Sequence, residues 1–257
     1  MQVLRKPSVS MSEAERQLRV DLAACHRLAA HFGLNEGIDN HLTVLLPGSN
    51  DSFLLAPFGL HWSEVKASDF MVVGFGGEVI RGGGAIEPTA LCIHLPIHRD
   101  APKARCVLHT HMPFATALTM LDKPCIEMAS QGALMFYDEI AYDNDYNGLA
   151  FDQGEGERMA RALGDKSVLM LGNHGVLVVA EALDVAFERL YFLERVAQLQ
   201  VLAMSTGRPL KLIPDAIVRS TVAQYGGGSQ VGGRERATLH FDALKRVLDR
   251  SSPGYGD

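Results

Sequence analysis

No run of apolar residues in this chain approaches the roughly 20 that a bilayer-spanning helix needs, so no membrane partner is expected. The opening segment, Met1 to Gln17, has no apolar core of the kind that directs export. Cysteine is scarce: Cys25, Cys92, Cys106 and Cys125 stand far apart, mostly in apolar surroundings, with no C-x-x-C pair. Reduced, buried thiols in a cytoplasmic protein fit that pattern, and a disulfide framework does not. Positive charge is also in short supply. Lys and Arg number 24 against 30 Asp and Glu, for a net charge of −6 with no basic stripe, so nucleic acid is not an expected partner. There is no internal repeat.

What is present is an ordinary globular balance: 257 residues, 47% hydrophobic and 21% charged, enough for one large domain or two small ones. Ser12 and Glu15 have the spacing of a capping box. Behind them Leu18, Leu22, Cys25, Leu28, Ala29 and Phe32 recur at helical spacing, with Gly33 as a stop. Leu42 to Leu46, Ser52 to Ala56 and Phe70 to Phe75 read as a meander of strands, with turns at Pro47-Gly48 and Gly76-Gly77. Residues 87–99 read as a helix opened by Pro88, and Pro96 inside it is expected to kink or shorten it. Helices are also expected from Pro113 to Leu121, over 152–164 and from Ala182 to Met204, with a last short one from Thr238 to Leu248. The glycines 226–228 separate that last helix from the long one. Strand-like runs occupy 167–179. The irregular alternation of helices and strands points to an α/β fold with a largely antiparallel sheet.

Three histidines in two short contexts carry the chemistry. His109-Thr110-His111 ends the apolar run Cys106-Val107-Leu108, and His174 sits in Gly172-Asn173-His174-Gly175 between two apolar runs. Residues two apart on a strand share a face, so His109 and His111 can share a cation. A third imidazole would complete three protein ligands and leave a position open, as in catalytic metal sites. The competing reading is three separate, hydrogen-bonded core histidines. His94 and His98, four apart on one helix, are read as supporting the site or the packing. Asn173 is expected to orient the turn that presents His174, and Gly175 to permit its backbone geometry.

Four blocks in order, Asn40 to Gly48 (NHLTVLLPG), Ile97 to His111, Ile140 to Gly148 (IAYDNDYNG) and Leu171 to Val179 (LGNHGVLVV), together with the helix ending in ERVAQLQVLAM, resemble the class II aldolase/adducin family, in its adducin-like bacterial branch. The resemblance spans about residues 13–205. It implies a three-layer α/β/α fold around a mixed, mainly antiparallel central sheet, homotetramers, and metal binding by His109, His111 and His174. On this basis the chain divides into a flexible leader, 1–12, a class II aldolase/adducin-like domain, 13–225, and a C-terminal arm with a short helix, 226–257.

The departures from the family pattern bear on function. The catalytic glutamate of the family's sugar-phosphate aldolases falls at Ala90, with Glu87 three residues earlier, and their tyrosine falls near Met128. Asp39, in the stretch matching their phosphate loop, would repel a phosphate. The expected activity is therefore a divalent-metal-dependent lyase reaction on a small hydroxy- or oxo-carboxylate. It would proceed by decarboxylation or retro-aldol cleavage through a metal-stabilised enediolate or enolate. Zinc is the expected ion, with manganese and iron as alternatives. Glu87, Tyr146 and His41 are the candidate catalytic residues, with Tyr137 as a further proton donor. Two other readings stand beside this one: a non-catalytic adducin-like scaffold with a residual metal site, and a non-haem iron oxygenase. The chain lacks adducin's long basic tail, which favours an enzyme over the scaffold.

Overall fold

Ser12 begins the first helix, α1 (Glu13–Phe32), by accepting the Glu15 N–H on its Oγ at 3.1 Å. Gly33, with φ 67°, closes it by donating to the Ala29 and Ala30 carbonyls. Only half of the expected capping box forms. The Glu15 carboxylate turns away from the cap to bind Arg19 at 2.8 Å and Arg81. These elements belong to a computed structural model that describes residues 11–226 and 233–257. All but the last two residues of the expected leader, and Gly227 and Gly228 of the spacer, lie outside the described residues.

The centre of the molecule is an eight-stranded sheet. Its strands are β1 (His41–Leu45), β2 (Ser52–Leu55), β3 (Met71–Gly74), β4 (Val79–Arg81), β5 (Cys106–Thr110), β6 (Ile140–Asp143), β7 (Val168–Leu171) and β8 (Gly175–Ala180). They lie in the order β4-β3-β2-β1-β5-β8-β7-β6, with β6 and β7 parallel and every other pair antiparallel. The mixed, mainly antiparallel sheet is the one expected. The sequence reading missed β4 and β6 because they are the two edge strands. An edge buries little, and Val79 and Ile80 are exposed, so neither strand carries a readable alternation.

Both faces of the sheet are covered, which is why β5 is buried along its whole length. Leu42, Val44, Cys106 and Leu108 point to one side. There they share a core with α1, α3 (Pro113–Thr119) and α5 (Leu183–Met204). Val107, Leu169, Leu177 and Val179 point to the other, against α2 (Pro88–Asp100) and α4 (Gln153–Leu163).

Pro96 neither breaks nor shortens α2, which runs on to Asp100. Proline has no N–H, so the Cys92 carbonyl four residues earlier loses its helix donor. Gly156 of α4 packs against that same carbonyl so closely that a Cβ would overlap its oxygen.

The last segment folds back on the chain. Past α6 (Asp215–Gly226), α7 runs Gly233–Ser251, longer than the short helix expected over 238–248. Phe241 and Leu248 enter the main core. The last residues are tied to the segment between β2 and β3: the Ala67 N–H donates to the Tyr255 carbonyl and the Ser68 N–H to the Asp257 carbonyl, each at 2.9 Å. No described helix is long and apolar enough to cross a membrane.

Candidate metal centre

The N-terminal end of β1, the C-terminal end of β5 and the N-terminal end of β8 meet at one edge of the sheet's middle. His41 on β1 is the register partner of His109 on β5, and the two rings lie 5.1 Å apart. His111 follows one residue past the end of β5, its N–H held by Asn40 Oδ1 at 3.2 Å. His174 occupies the turn between β7 and β8. Asn173 takes the left-handed conformation there, with φ 55°, and donates its N–H to the Thr119 carbonyl at 3.1 Å. Gly175 matters through space rather than through an unusual backbone angle. A Cβ on it would stand 2.6 Å from His111 Cδ2 and 2.7 Å from the Thr110 carbonyl.

These elements bring His109, His111 and His174 together, with one nitrogen of each within 4.8 Å of the others. Among the described residues they form the one such group of three or more metal-ligating side chains. The ring centroids are 4.8 to 5.0 Å apart.

The hydrogen bonds show that the group suits a cation. His109 Nδ1 lies 3.0 Å from the Val176 carbonyl, which can only accept, so that nitrogen carries the proton and Nε2 keeps its lone pair. His111 Nδ1 lies 2.5 Å from the Glu36 carboxylate, and its Nε2 is buried without a partner. Partners of this kind on the outer nitrogens orient metal-ligating imidazoles. Burial, with the neighbouring imidazoles, holds His109 well below the usual imidazole range. Burial and the neighbouring His111 push His174 down to about 4. Both are therefore neutral at pH 7, the form that binds metal.

A cavity of about 410 Å³ opens over these rings. Glu87, Tyr146 and His41, the three expected catalytic residues, all line it, together with Thr89, Asp39 and Asn40. Glu87 is also the N-cap of α2: its Oε2 accepts the Ala90 N–H at 2.7 Å and the Thr89 hydroxyl at 2.5 Å. Burial alone would raise its pKa. The neighbouring His41 imidazole and the bonds from Thr89 and Ala90 outweigh that and hold it at about 2. The Tyr146 ring lies 6.4 Å from that of His174 and is half exposed. Tyr137 does not line the cavity. Ala90 points instead into an apolar cluster with Phe53, Leu55 and Met71, and Met128 packs against the main core.

Sequence reasoning did not find Glu36, Thr89 or Thr43. Glu36 and Thr89 sit where no periodicity marks them, the first in a loop and the second at a helix start. Thr43 did carry a signal, since it lies two residues from His41 on one strand and therefore shares its face.

The fold and the histidine cluster together define a class II aldolase-like protein. The sequence profile of the Class II Aldolase and Adducin N-terminal domain matches residues 20–201, and the chain belongs to that family. It is 36% identical over 250 residues to a Caulobacter vibrioides protein assigned by name to aldolase class 2, covering 96% of this chain and 95% of that one. It is 33% identical to alpha-adducin of Rattus norvegicus over 94% of this chain and 34% of adducin. Its structure resembles that of L-fuculose 1-phosphate aldolase from Glaciozyma antarctica PI12, with a TM-score of 0.81 and 28% identity over 96% of each chain.

Proposed function

We propose that this protein is a divalent-metal-dependent lyase acting on a small hydroxy- or oxo-carboxylate. The observation that carries the reading is the convergence of His109, His111 and His174, the first two with outer nitrogens already bonded, at the floor of a cavity that Glu87 also lines. These three residues would hold the ion, with zinc the first choice and manganese or iron as alternatives. The ion would polarise a substrate carbonyl and stabilise the negative charge that develops as the adjacent C–C bond breaks.

The remaining chemistry belongs to the side chains. Carbon left with an electron pair must receive a proton, and His41, Glu87 and Tyr146 are the cavity groups able to exchange one. Position 90, turned into the apolar cluster, supplies no base. Loss of CO₂ needs no base to begin, so that arrangement suits decarboxylation better than retro-aldol cleavage. Asp39 at the cavity wall argues against a phosphorylated sugar. The four free cysteines support a reducing, cytoplasmic location. Leu149 and Phe151, exposed at the cavity rim, support assembly of copies, for which we propose a homotetramer.

A panel of hydroxy- and oxo-acids, assayed for CO₂ and for aldehyde release with Zn²⁺, Mn²⁺ and Fe²⁺ supplied separately, tests the reading. Turnover that depends on metal and is lost in His109→Ala is the expected result. A second reading, a scaffold without catalysis, is favoured by Ala90 and by the similarity to alpha-adducin. Absence of turnover with every metal and acid would favour that reading instead.

A further inference from the structure

Behind His41, a line of hydrogen bonds runs away from the cavity. His41 Nδ1 lies 2.8 Å from His94 Nε2. His94 Nδ1 lies 2.5 Å from Thr43 Oγ1, and Thr43 Oγ1 lies 2.7 Å from His98 Nε2. His98 Nδ1 ends the line 2.5 Å from the Ala104 carbonyl. Thr43 and His94 are fully buried, and His41 and His98 nearly so, so water cannot substitute for a missing partner.

The direction of every bond follows from the last one. A carbonyl oxygen only accepts, so His98 Nδ1 carries the proton and a neutral His98 leaves its Nε2 as an acceptor. Burial holds His98 at about 4, so it is neutral at pH 7. Thr43 must then donate its hydroxyl to His98, which leaves its oxygen to accept from His94 Nδ1. His94 Nε2 becomes an acceptor in turn, and His41 must donate from Nδ1. The other nitrogen of His41, Nε2, faces the cavity, 3.3 Å from Thr89 Oγ1 and 3.4 Å from Glu87 Oε2.

We propose that Thr43, His94 and His98 are positioning residues that fix His41 as the Nδ1–H tautomer, with Nε2 presented to the cavity as its proton-exchanging atom. The arrangement opposes the local field. Left to itself, His41 would place its proton on Nε2 and donate it to the Glu87 carboxylate, a charge-assisted bond. The buried line holds the proton on the inner nitrogen instead. Nε2 is thereby an acceptor beside an anion that stabilises the imidazolium formed when it takes a proton from substrate or solvent. This deepens the lyase reading and rests on it for the purpose of the device. The tautomer itself depends on no substrate.

The test is solid-state ¹⁵N NMR of the full chain with labelled histidines, with and without Zn²⁺. His41 is assigned by the signals lost in His41→Gln. In the wild type and in Thr43→Ser, which keeps the hydroxyl, His41 Nδ1 gives a protonated, pyrrole-type signal. Thr43→Val keeps the shape but cuts the line, freeing His94 to donate from Nε2. His41 Nδ1 then shifts to the unprotonated, pyridine-type position. An unprotonated Nδ1 in the wild type overturns the proposal without recourse to any variant, as does a folded Thr43→Val whose Nδ1 stays protonated. A protein that turns over no substrate but gives these signals removes the lyase reading and leaves the tautomer lock standing.

Discussion

The Glu36 carboxylate sits 2.5 Å from His111 Nδ1, on the far side of the ring from the unpartnered Nε2. The contact joins the loop before β1 to the residue after β5, and it fixes which nitrogen of His111 can serve as a ligand. Removing the charge weakens both the orientation and the basicity of the ring. Such losses cost about 10- to 100-fold in metal affinity, and the exposure of Glu36 places this one at the lower end. Glu36→Gln is expected to raise the Zn²⁺ dissociation constant about tenfold, read by competition with a chelator. An unchanged constant would mean that the carboxylate plays no part in holding the ring.

Glu87 has two separable jobs. As the N-cap of α2 it accepts the Ala90 N–H, and as a cavity carboxylate it faces His41. Glu87→Gln keeps an acceptor for the cap and removes the charge. Stability should change by less than about 1 kcal/mol, while turnover falls on the order of 10²- to 10⁴-fold. Glu87→Ala should lose both, with about 1 kcal/mol of stability going with the cap. Denaturant titration beside the substrate assay separates the two effects. Equal activity in Glu87→Gln and the wild type would confine Glu87 to capping.

The meeting of Gly156 with the Cys92 carbonyl sets the spacing of α2 and α4. A methyl group has no room there, because its neighbour is backbone rather than a side chain that can swing aside. Gly156→Ala should destabilise the protein by about 1–3 kcal/mol, the usual cost of overpacking, despite alanine's better helix propensity. Thermal unfolding reads this directly. A rise in Tm would show that the helices can part without cost.

Acid should loosen the fold before the carboxylates titrate. Burial holds His26 and His98 at about 4 in the folded chain against an ordinary 6.5. Between those values the unfolded chain binds protons that the folded chain refuses, so the stabilisation is complete above about pH 6.5 and drains away as pH falls toward 4. Each group contributes a slope of up to about 1.4 kcal/mol per pH unit. The urea midpoint should drop between pH 7 and pH 5 with the m-value unchanged. A midpoint that holds over that range would mean that both rings are protonated inside the fold.

Much of the fold could be read from the residues in order. The period of Leu18, Leu22, Cys25 and Leu28 gave α1, and the runs at 42–46, 52–56 and 70–75 fell within one or two residues of β1, β2 and β3. These elements bury a face, and burial imprints a period on sequence. The two edge strands and the true length of α7 left weaker traces. Edges bury little, and α7 is mainly polar around a few anchoring side chains.

The sequence by itself determined the chemical identity of the site. H-x-H at the end of an apolar run, a third histidine in a tight turn and Ala90 at the glutamate position are all properties of the covalent chain, as is the family pattern they belong to. The tertiary structure decided which atoms face one another. Only the register of β1 against β5 sets His41 beside His109. Only the packing of α2 on that face brings His94 and His98 to Thr43, and only the loop before β1 carries Glu36 to His111. A hydrogen bond is fixed by distance and direction between groups far apart in the chain, and local sequence preference encodes neither.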